Sequence, residues 1–266
     1  MKVCGLYYVA GQPPSSSAPG SSTFQEVVSA IHKRYTKARP LPPWNLAHNL
    51  SRSTPATSDD PTPRAYHHAL NLSFHPGKTF LYIHPPPIPG VPMRPGPGNA
   101  VVAIPATQTE SFNNLLSTKF SALWTPKQSL SIRDGHAYGI GELIIRVGEV
   151  KSAKGVGGNP PALHGVVVYI GNHVGDPNAA DGKFASTISS DRKVEDAAKA
   201  VSSEEEVKEA VTFVQEMIKE VWKGLEVAGG LKEPHKEKFV QYEGQDEWEA
   251  AEMEVRMWCD ILRLRA

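Results

Sequence analysis

One stretch decides the fold: LSIRDGHAYGIGELIIRVGEV, from Leu130 to Val150. Its first residues alternate between apolar and polar, as one strand of a sheet does. Asp134-Gly135 then predicts a tight two-residue hairpin turn, because such turns require positive φ angles. A one-residue bulge at Gly148 is predicted to place Val150 on the same face as Leu143, Ile145 and Val147. The stretch therefore predicts two long antiparallel strands at the centre of a sheet.

Further strands are predicted on both sides of this hairpin. Alternating residues over 66–83 indicate a second hairpin that turns at Pro76-Gly77. The run 163–170 is apolar on both of its faces, which is typical of a strand lying between two layers. Shorter β-prone runs predict strands over 3–9, 44–50 and 101–104.

Four amphipathic helices are predicted, because apolar residues recur at three- and four-residue spacing. They begin near Thr23, Ser111, Ser203 and Asp246. The second helix is expected to bury Phe112, Leu115, Leu116, Phe120 and Leu123. The last helix is rich in Glu and Arg on one face and carries on the other Trp248, Ala251, Val255, Trp258 and Leu262.

The order of these elements predicts an α+β fold. Strands joined by hairpins rather than by helical crossovers favour one antiparallel, β-barrel-like sheet with amphipathic helices packed on it. Residues 1–266 are interpreted as a single domain. Segments rich in Pro, Ser and Gly, or poor in large apolar residues, predict mobile surface stretches at 11–22, 51–63, 85–99 and 172–203.

The overall composition bounds the class of protein. The formal net charge is zero, but residues 1–135 carry 12 basic and 5 acidic side chains, whereas residues 136–266 carry 16 and 23. The cations are mostly isolated, apart from Lys33, Arg34, Lys37 and Arg39, so no direct sequence-specific nucleic-acid contact is expected. Two cysteines exclude a disulfide framework and favour a reducing compartment. With no signal-like or membrane-spanning apolar run, we expect a soluble intracellular chain.

A search for reactive patterns yields no catalytic, cofactor-binding or metal-binding residue. Gly139–Glu142 and Gly155–Gly158 resemble phosphate-binding loops but lack the required third glycine or Lys-Ser/Thr. His67 and His68 are neighbours in a strand and point to opposite faces, so they cannot bind one metal together. Five more histidines lie at predicted strand ends or turns and could converge, namely His75, His84, His136, His164 and His173.

The cysteines and the tryptophans are two further groups of side chains that could carry a function. Cys4 and Cys259 lie in a predicted strand and an amphipathic helix, where a small buried thiol is ordinary and a nucleophile is not indicated. Trp222, Trp248 and Trp258 fit the apolar stripes of helices. The same spacing could serve a partner-binding surface, and the sequence leaves that alternative open.

Several segments resemble a known family, subunit 20 of the Mediator complex. They are VCGLYYV at 3–9, GHAY at 135–138 continuing through ELIIRVGEV at 142–150, GVVVYIG at 165–171, and the C-terminal helix around 252–265. The Pro-rich loops and the 172–203 insertion resemble lineage-specific additions of a fungal member.

The resemblance implies a non-enzymatic subunit of the Mediator head module, located in the nucleus. Members of that family fold as an antiparallel β-barrel with packed helices. They pair with the similarly folded subunit 18, and a C-terminal helix of subunit 8 tethers the pair to other head-module subunits. The assembly relays regulatory signals to RNA polymerase II. No catalytic, cofactor or metal residue carries over to this sequence, and the partner-contact residues stay unknown.

Two other functions remain open from the sequence. One is a small intracellular hydrolase with a barrel pocket lined by His and acidic residues, which would require those side chains to converge inside the sheet. The other is a nucleic-acid-binding module, which would require the cations of residues 33–39 to join others on one face.

Overall fold

Nine strands form one antiparallel sheet in the part of the chain that the structure, a computed structural model, describes. Described are residues 1–11, 22–55, 63–86, 100–153, 160–172, 204–231, 234, 236–243 and 246–264. The predicted mobile segments lie largely outside these ranges. At the ends of the predicted segments, residues 51–53 and Asn172 belong to strands instead.

The strands and helices have the following bounds. The strands are β1 Lys2–Ala10, β2 Arg39–Ser53, β3 Tyr66–Leu72, β4 Lys78–His84, β5 Val101–Pro105, β6 Trp124–Ile140, β7 Leu143–Ser152, β8 Leu163–Asn172 and β9 Lys236–Tyr242. The helices are α1 Thr23–Arg34, α2 Thr109–Thr118, α3 Glu204–Gly229 and α4 Glu247–Leu262. Ser22 caps α1 and Asp246 caps α4 through their side chains, which satisfies backbone N–H groups in each first turn.

The sheet curls into a half-barrel around α4. Its strand order is β5-β4-β3-β2-β6-β7-β8-β1-β9. Helix α4 contacts β1 and β9 at one end of this order and β3, β4 and β5 at the other. Because one helix reaches both ends, the sheet must bend around it. The α+β prediction is confirmed.

Both faces of the sheet are buried, each in its own apolar cluster. The inner cluster joins α4 to the concave face and includes Leu46, Leu70, Phe80, Tyr169 and Trp258. The outer cluster joins α1 and α3 to the convex face and includes Tyr7, Ile145, Val168, Ile218 and Trp222. Strand β8 contributes alternate residues to the two clusters, as its two apolar faces predict.

The predicted hairpin turn at Asp134-Gly135 is wrong. Strand β6 runs through these residues, and the chain turns at Gly141-Glu142 instead, with Gly141 at φ 58°. Asp134 does have a positive φ, 54°, but it lies in a bulge. The pairing of β6 with β7 shifts between Ser131 and His136, where β6 holds one extra residue. A positive φ serves a bulge as well as a turn, so the residue type alone does not separate them.

The bulge predicted at Gly148 is wrong as well, because this glycine makes room for a tryptophan. A Cβ at Gly148 would lie 2.9 Å from Trp44 Cζ2 and 2.5 Å from Ile132 Cγ2. Strand β7 pairs with β8 without a shift from Leu143 to Val150. Val150 therefore belongs to the inner cluster, on the face opposite to Ile145. Val150 is buried without a bulge, because both faces of the sheet are covered by apolar clusters.

Strand β9 was not predicted. It pairs with β1 at the edge of the sheet, and Val240 is its one buried residue. An edge strand with a single buried side chain carries too little alternation to be recognised from its sequence. None of the helices in the described ranges is long and apolar enough to cross a membrane.

Candidate functional site

A buried carboxylate, Glu254 of α4, lies inside the curled sheet. Its side chain is fully buried, and it accepts a hydrogen bond from the Lys2 ammonium of β1. His75, in the turn between β3 and β4, lies 3.1 Å away from it, Nε2 to Oε2. Burial alone would raise the pKa of Glu254, but Lys2 and His75 outweigh burial and hold it below the usual range. A general base needs a pKa near the working pH, whereas this carboxylate stays ionised and paired with Lys2.

The remaining candidate histidines do not converge within the described residues. Each has a separate neighbour, and His173 lies outside the described ranges. The pairs are His84 Nδ1 with Asp260 at 3.7 Å, His136 Nδ1 with the Tyr138 hydroxyl at 3.2 Å, and His164 Nε2 with the Ser152 hydroxyl at 2.9 Å.

The structure does bring together one pair of histidines that the sequence did not predict. His48 Nε2 of β2 lies 3.0 Å from His68 Nδ1 of β3, with both side chains buried in the sheet interior. Burial lowers the pKa of His48 to about 3 and also lowers the pKa of His68, so both rings are neutral. His67 points to the other face and stacks on Phe112 of α2, as the alternation predicts. His48 was missed because its partner depends on the pairing of two strands.

An open cleft is lined by residues of β2, β6 and β7 and of the turn after β3. It measures about 400 Å³, including open solvent, and its polar side chains are Ser73 and Arg146. The guanidinium of Arg146 lies over the ring of Phe74, 4.1 Å from its centroid. The barrel interior itself is filled by α4 and the inner cluster. One His–acid pair of the kind that the hydrolase alternative requires, His75 with Glu254, does lie inside the sheet, but Glu254 is fully buried among packed side chains and paired with Lys2.

The cysteines and the basic cluster have structural explanations. Cys4 and Cys259 are buried free thiols, and burial raises the pKa of Cys4 to about 12, far from that of a nucleophile. Lys33 and Arg34 occupy the last turn of α1, where the helix dipole favours cations. Of the two glycine patterns, the one at 139–142 forms the β6–β7 turn, and 155–158 lies outside the described residues.

The apolar face of α2 is largely exposed, contrary to the prediction. The helix ends at Thr118, before the predicted Phe120 and Leu123, and none of its residues is buried. Leu115 is 42% exposed, and Phe120 and Leu123, which follow the helix, are 41% and 58% exposed. The helix packs on the convex face near β3 and β4 through Phe112 and a hydrogen bond between Thr109 and Thr79. Nearby on that face, Ile83 and Val102 are also exposed. An amphipathic pattern shows that a helix has an apolar face, but not that its own chain covers it.

Helix α3 also presents apolar side chains to solvent. Phe213 and Val227 are 66% and 79% exposed, on the side away from the outer cluster. The three tryptophans differ in burial. Trp222 and Trp258 are buried, whereas Trp248 is 37% exposed at the start of α4. The core interpretation is therefore right for two of the three.

These features define an α+β half-barrel whose interior is filled by α4. The family model described as "TATA-binding related factor (TRF) of subunit 20 of Mediator complex" matches residues 11–246. The chain belongs to this Mediator subunit family, and no enzyme family is indicated.

Two solved structures share low similarity with the chain. The PH1819 protein from Pyrococcus horikoshii OT3 is 11% identical, with 91% of this chain and 94% of that chain covered and a TM-score of 0.36. A chain of the Schizosaccharomyces pombe Mediator head module is 12% identical, with coverage of 70% and 89% and a TM-score of 0.32. Similarity this low supports no conclusion about the chain. No curated protein matches it.

Proposed function

We propose that this chain is a non-enzymatic scaffold subunit of the Mediator head module that acts in the nucleus through protein–protein contacts. The observation that carries the proposal is the family match over residues 11–246, which spans most of the 266-residue chain. Within the assembly, the subunit helps to relay regulatory signals to RNA polymerase II. The long Pro-rich segments support a fungal member of the family.

The proposed direct partner is Mediator subunit 18, in a one-to-one pair. A C-terminal helix of subunit 8 would tether this pair to the other head-module subunits. Exposed apolar side chains on α2 and α3 support a function through contact with other chains, because large exposed apolar patches mark interaction surfaces. No contact residue is assigned to either partner.

Co-purification tests the proposal. The full chain and subunit 18 from the same organism are co-expressed, and the mass of the complex is measured by size-exclusion chromatography with light scattering. A one-to-one complex is expected. Two separate monomers would contradict the pairing, whereas recovery of the chain with other head-module subunits from native extract tests the Mediator role by itself.

Charged substitutions at exposed residues then locate the surface that pairs with subunit 18. Leu115→Glu on α2 and Phe213→Glu on α3 each place a charge on an exposed apolar position, so each variant is expected to fold. Loss of pairing in one variant and its retention in the other locates the contact. The far-UV circular dichroism of both variants must match that of the wild type.

A further inference from the structure

Three metal-ligating side chains from three elements meet inside the sheet. His48 of β2, His68 of β3 and Cys259 of α4 each offer one donor atom, and these atoms all lie within 4.8 Å of one another. All three side chains are buried, at 0%, 1% and 0% exposure. The proposed Mediator role uses none of them.

The pairing register explains why the histidines meet. Strand β2 pairs with β3 so that His48 lies opposite Leu70 and Leu50 lies opposite His68. The two histidines are therefore diagonal neighbours on the inner face, where their rings come within hydrogen-bond distance. Cys259 faces the same interior, because α4 packs against the concave side of the sheet.

The histidine pair is incomplete as a hydrogen-bonded unit. The nitrogens outside their shared contact, His48 Nδ1 and His68 Nε2, are buried and have no hydrogen-bond partner. Buried polar groups in native proteins are normally satisfied, and each exception calls for an explanation. A metal ion held by His48 Nε2 and His68 Nδ1 would replace the proton that these nitrogens share, and this proton would move to an outer nitrogen, so that each neutral ring carries its N–H there.

The distances suit a metal ion. Metal–nitrogen bonds of about 2.0–2.1 Å and metal–sulfur bonds of about 2.3 Å place donor atoms roughly 3.3–3.8 Å apart. The two imidazole nitrogens are 3.0 Å apart, and every donor pair lies within 4.8 Å. Closing the widest donor pair by roughly 1 Å would bring all three donors to bonding distance.

We propose that His48, His68 and Cys259 bind one thiophilic metal ion, Cu⁺ or Zn²⁺, which fastens α4 to β2 and β3. Soft thiolate and imidazole donors select these ions. Binding releases the thiol proton of Cys259 to solvent, and the thiolate forms the metal–sulfur bond. Because Cu⁺ with one thiolate and two neutral imidazoles carries no net charge and accepts three ligands, it suits a dry interior. Zn²⁺ would leave one positive charge and require a fourth ligand.

Metal content tests the site. The full-length protein is refolded with Cu⁺ under anaerobic reducing conditions or, separately, with Zn²⁺, then desalted and analysed by mass spectrometry of the elements. One ion per chain is expected in at least one arm, and the arms show which ion is held. X-ray absorption of the loaded wild-type protein is expected to show both nitrogen and sulfur ligands. Protein without stoichiometric metal in both arms, or a spectrum without a sulfur ligand, would overturn the proposal.

Matched variants show which residues bind the ion. Cys259→Ser and His68→Gln are expected to lower metal affinity by more than about tenfold. Cys4→Ser changes the chain's other buried cysteine, and His67→Gln changes the neighbour on the opposite face, so both should retain one ion per chain. Equal affinity of the Cys259→Ser variant and its Cys4→Ser control would refute the site. If either ligand variant does not fold, the X-ray absorption spectrum of the loaded wild-type protein still tests whether nitrogen and sulfur ligands bind the ion.

Discussion

At the residue scale, Glu254 is buried although helical spacing predicts an exposed position for it. Helical spacing places the acids of α4 on a polar face, yet this carboxylate is fully buried beside Lys2 and His75. Helix α4 lies within the curl of the sheet, so even part of its polar side is enclosed. The N-terminal strand supplies the compensating charge from 252 residues away in the sequence.

Replacing this carboxylate should cost stability in a pH-dependent way. Glu254→Gln leaves the Lys2 ammonium without its counter-ion, and removal of one member of a buried pair costs about 3–5 kcal/mol. The folded-state pKa of Glu254 is lowered, so its contribution is present above the unfolded-state pKa of about 4.3 and is lost as pH falls through the folded-state pKa. Urea unfolding at several pH values should show a constant deficit above pH ~5 that shrinks below it.

The control for this variant lies two residues earlier on the same helix. Glu252 forms a partly exposed ion pair with Arg256, so Glu252→Gln should change the unfolding free energy by less than about 1 kcal/mol. A deficit for Glu254→Gln that stays the same down to pH ~3 would contradict an ionised buried carboxylate.

At the scale of the element, β6 shows how one residue pattern fits two structures. Asp134-Gly135 has the chemistry of a hairpin turn, but it forms a bulge against which the Trp44 indole packs. The indole Nε1 donates to the carbonyls of His136 and Val147, at 3.1 and 3.2 Å. Glycine is required here because of this close approach, not because of the turn.

A pair of glycines on β6 tests this explanation. A Cβ at Gly135 would lie 2.5 Å from Trp44 Nε1, so Gly135→Ala should destabilise the fold by about 1–3 kcal/mol, as overpacking does. At Gly139 the nearest atom to a new Cβ is Leu41 Cδ1 at 3.9 Å, so Gly139→Ala should be neutral or stabilising. Denaturant unfolding with tryptophan fluorescence measures both. Equal stability of the two variants would show that the indole contact does not constrain Gly135.

At the scale of the whole molecule, α4 holds the curled sheet together. Trp258 is fully buried at the centre of an aromatic group formed by three elements. Its ring stacks on Tyr169 of β8 with centroids 5.9 Å apart and lies 5.8 Å from Trp44 of β2. Strands β6 and β7 separate β2 from β8 in the sheet, so one side chain connects strands that do not pair directly.

Two tryptophans of α4 provide a matched test of this role. Trp258→Ala should lower the unfolding free energy by about 3–5 kcal/mol, because it leaves a large cavity in the inner cluster. Trp248→Ala, at the exposed start of the helix, should cost about 1 kcal/mol or less. Thermal unfolding followed by circular dichroism separates the two. Similar losses of unfolding free energy in both variants would mean that contacts spread along the whole of α4, rather than this aromatic group, hold the helix in place.

The sequence by itself determined the local character of this protein. Periods of two and of three to four residues located eight of the nine described strands and all four helices, and they identified β8 as a strand buried on both faces. These periods identify strands and helices because alternation and helical spacing depend on backbone geometry, which neighbouring residues determine. Family membership could also be read from the sequence, since the resembling strand segments at 142–150 and 165–171 lie within the matched residues 11–246.

Only the tertiary structure decided which residues meet. The convergence of His48, His68 and Cys259, the burial of Glu254, the bulge at Asp134 and the exposure of α2 all depend on strand register and on the curl of the sheet around α4. Local periodicity gives the face on which a side chain lies. What covers that face is decided by elements far away in the chain, through packing that no short segment encodes.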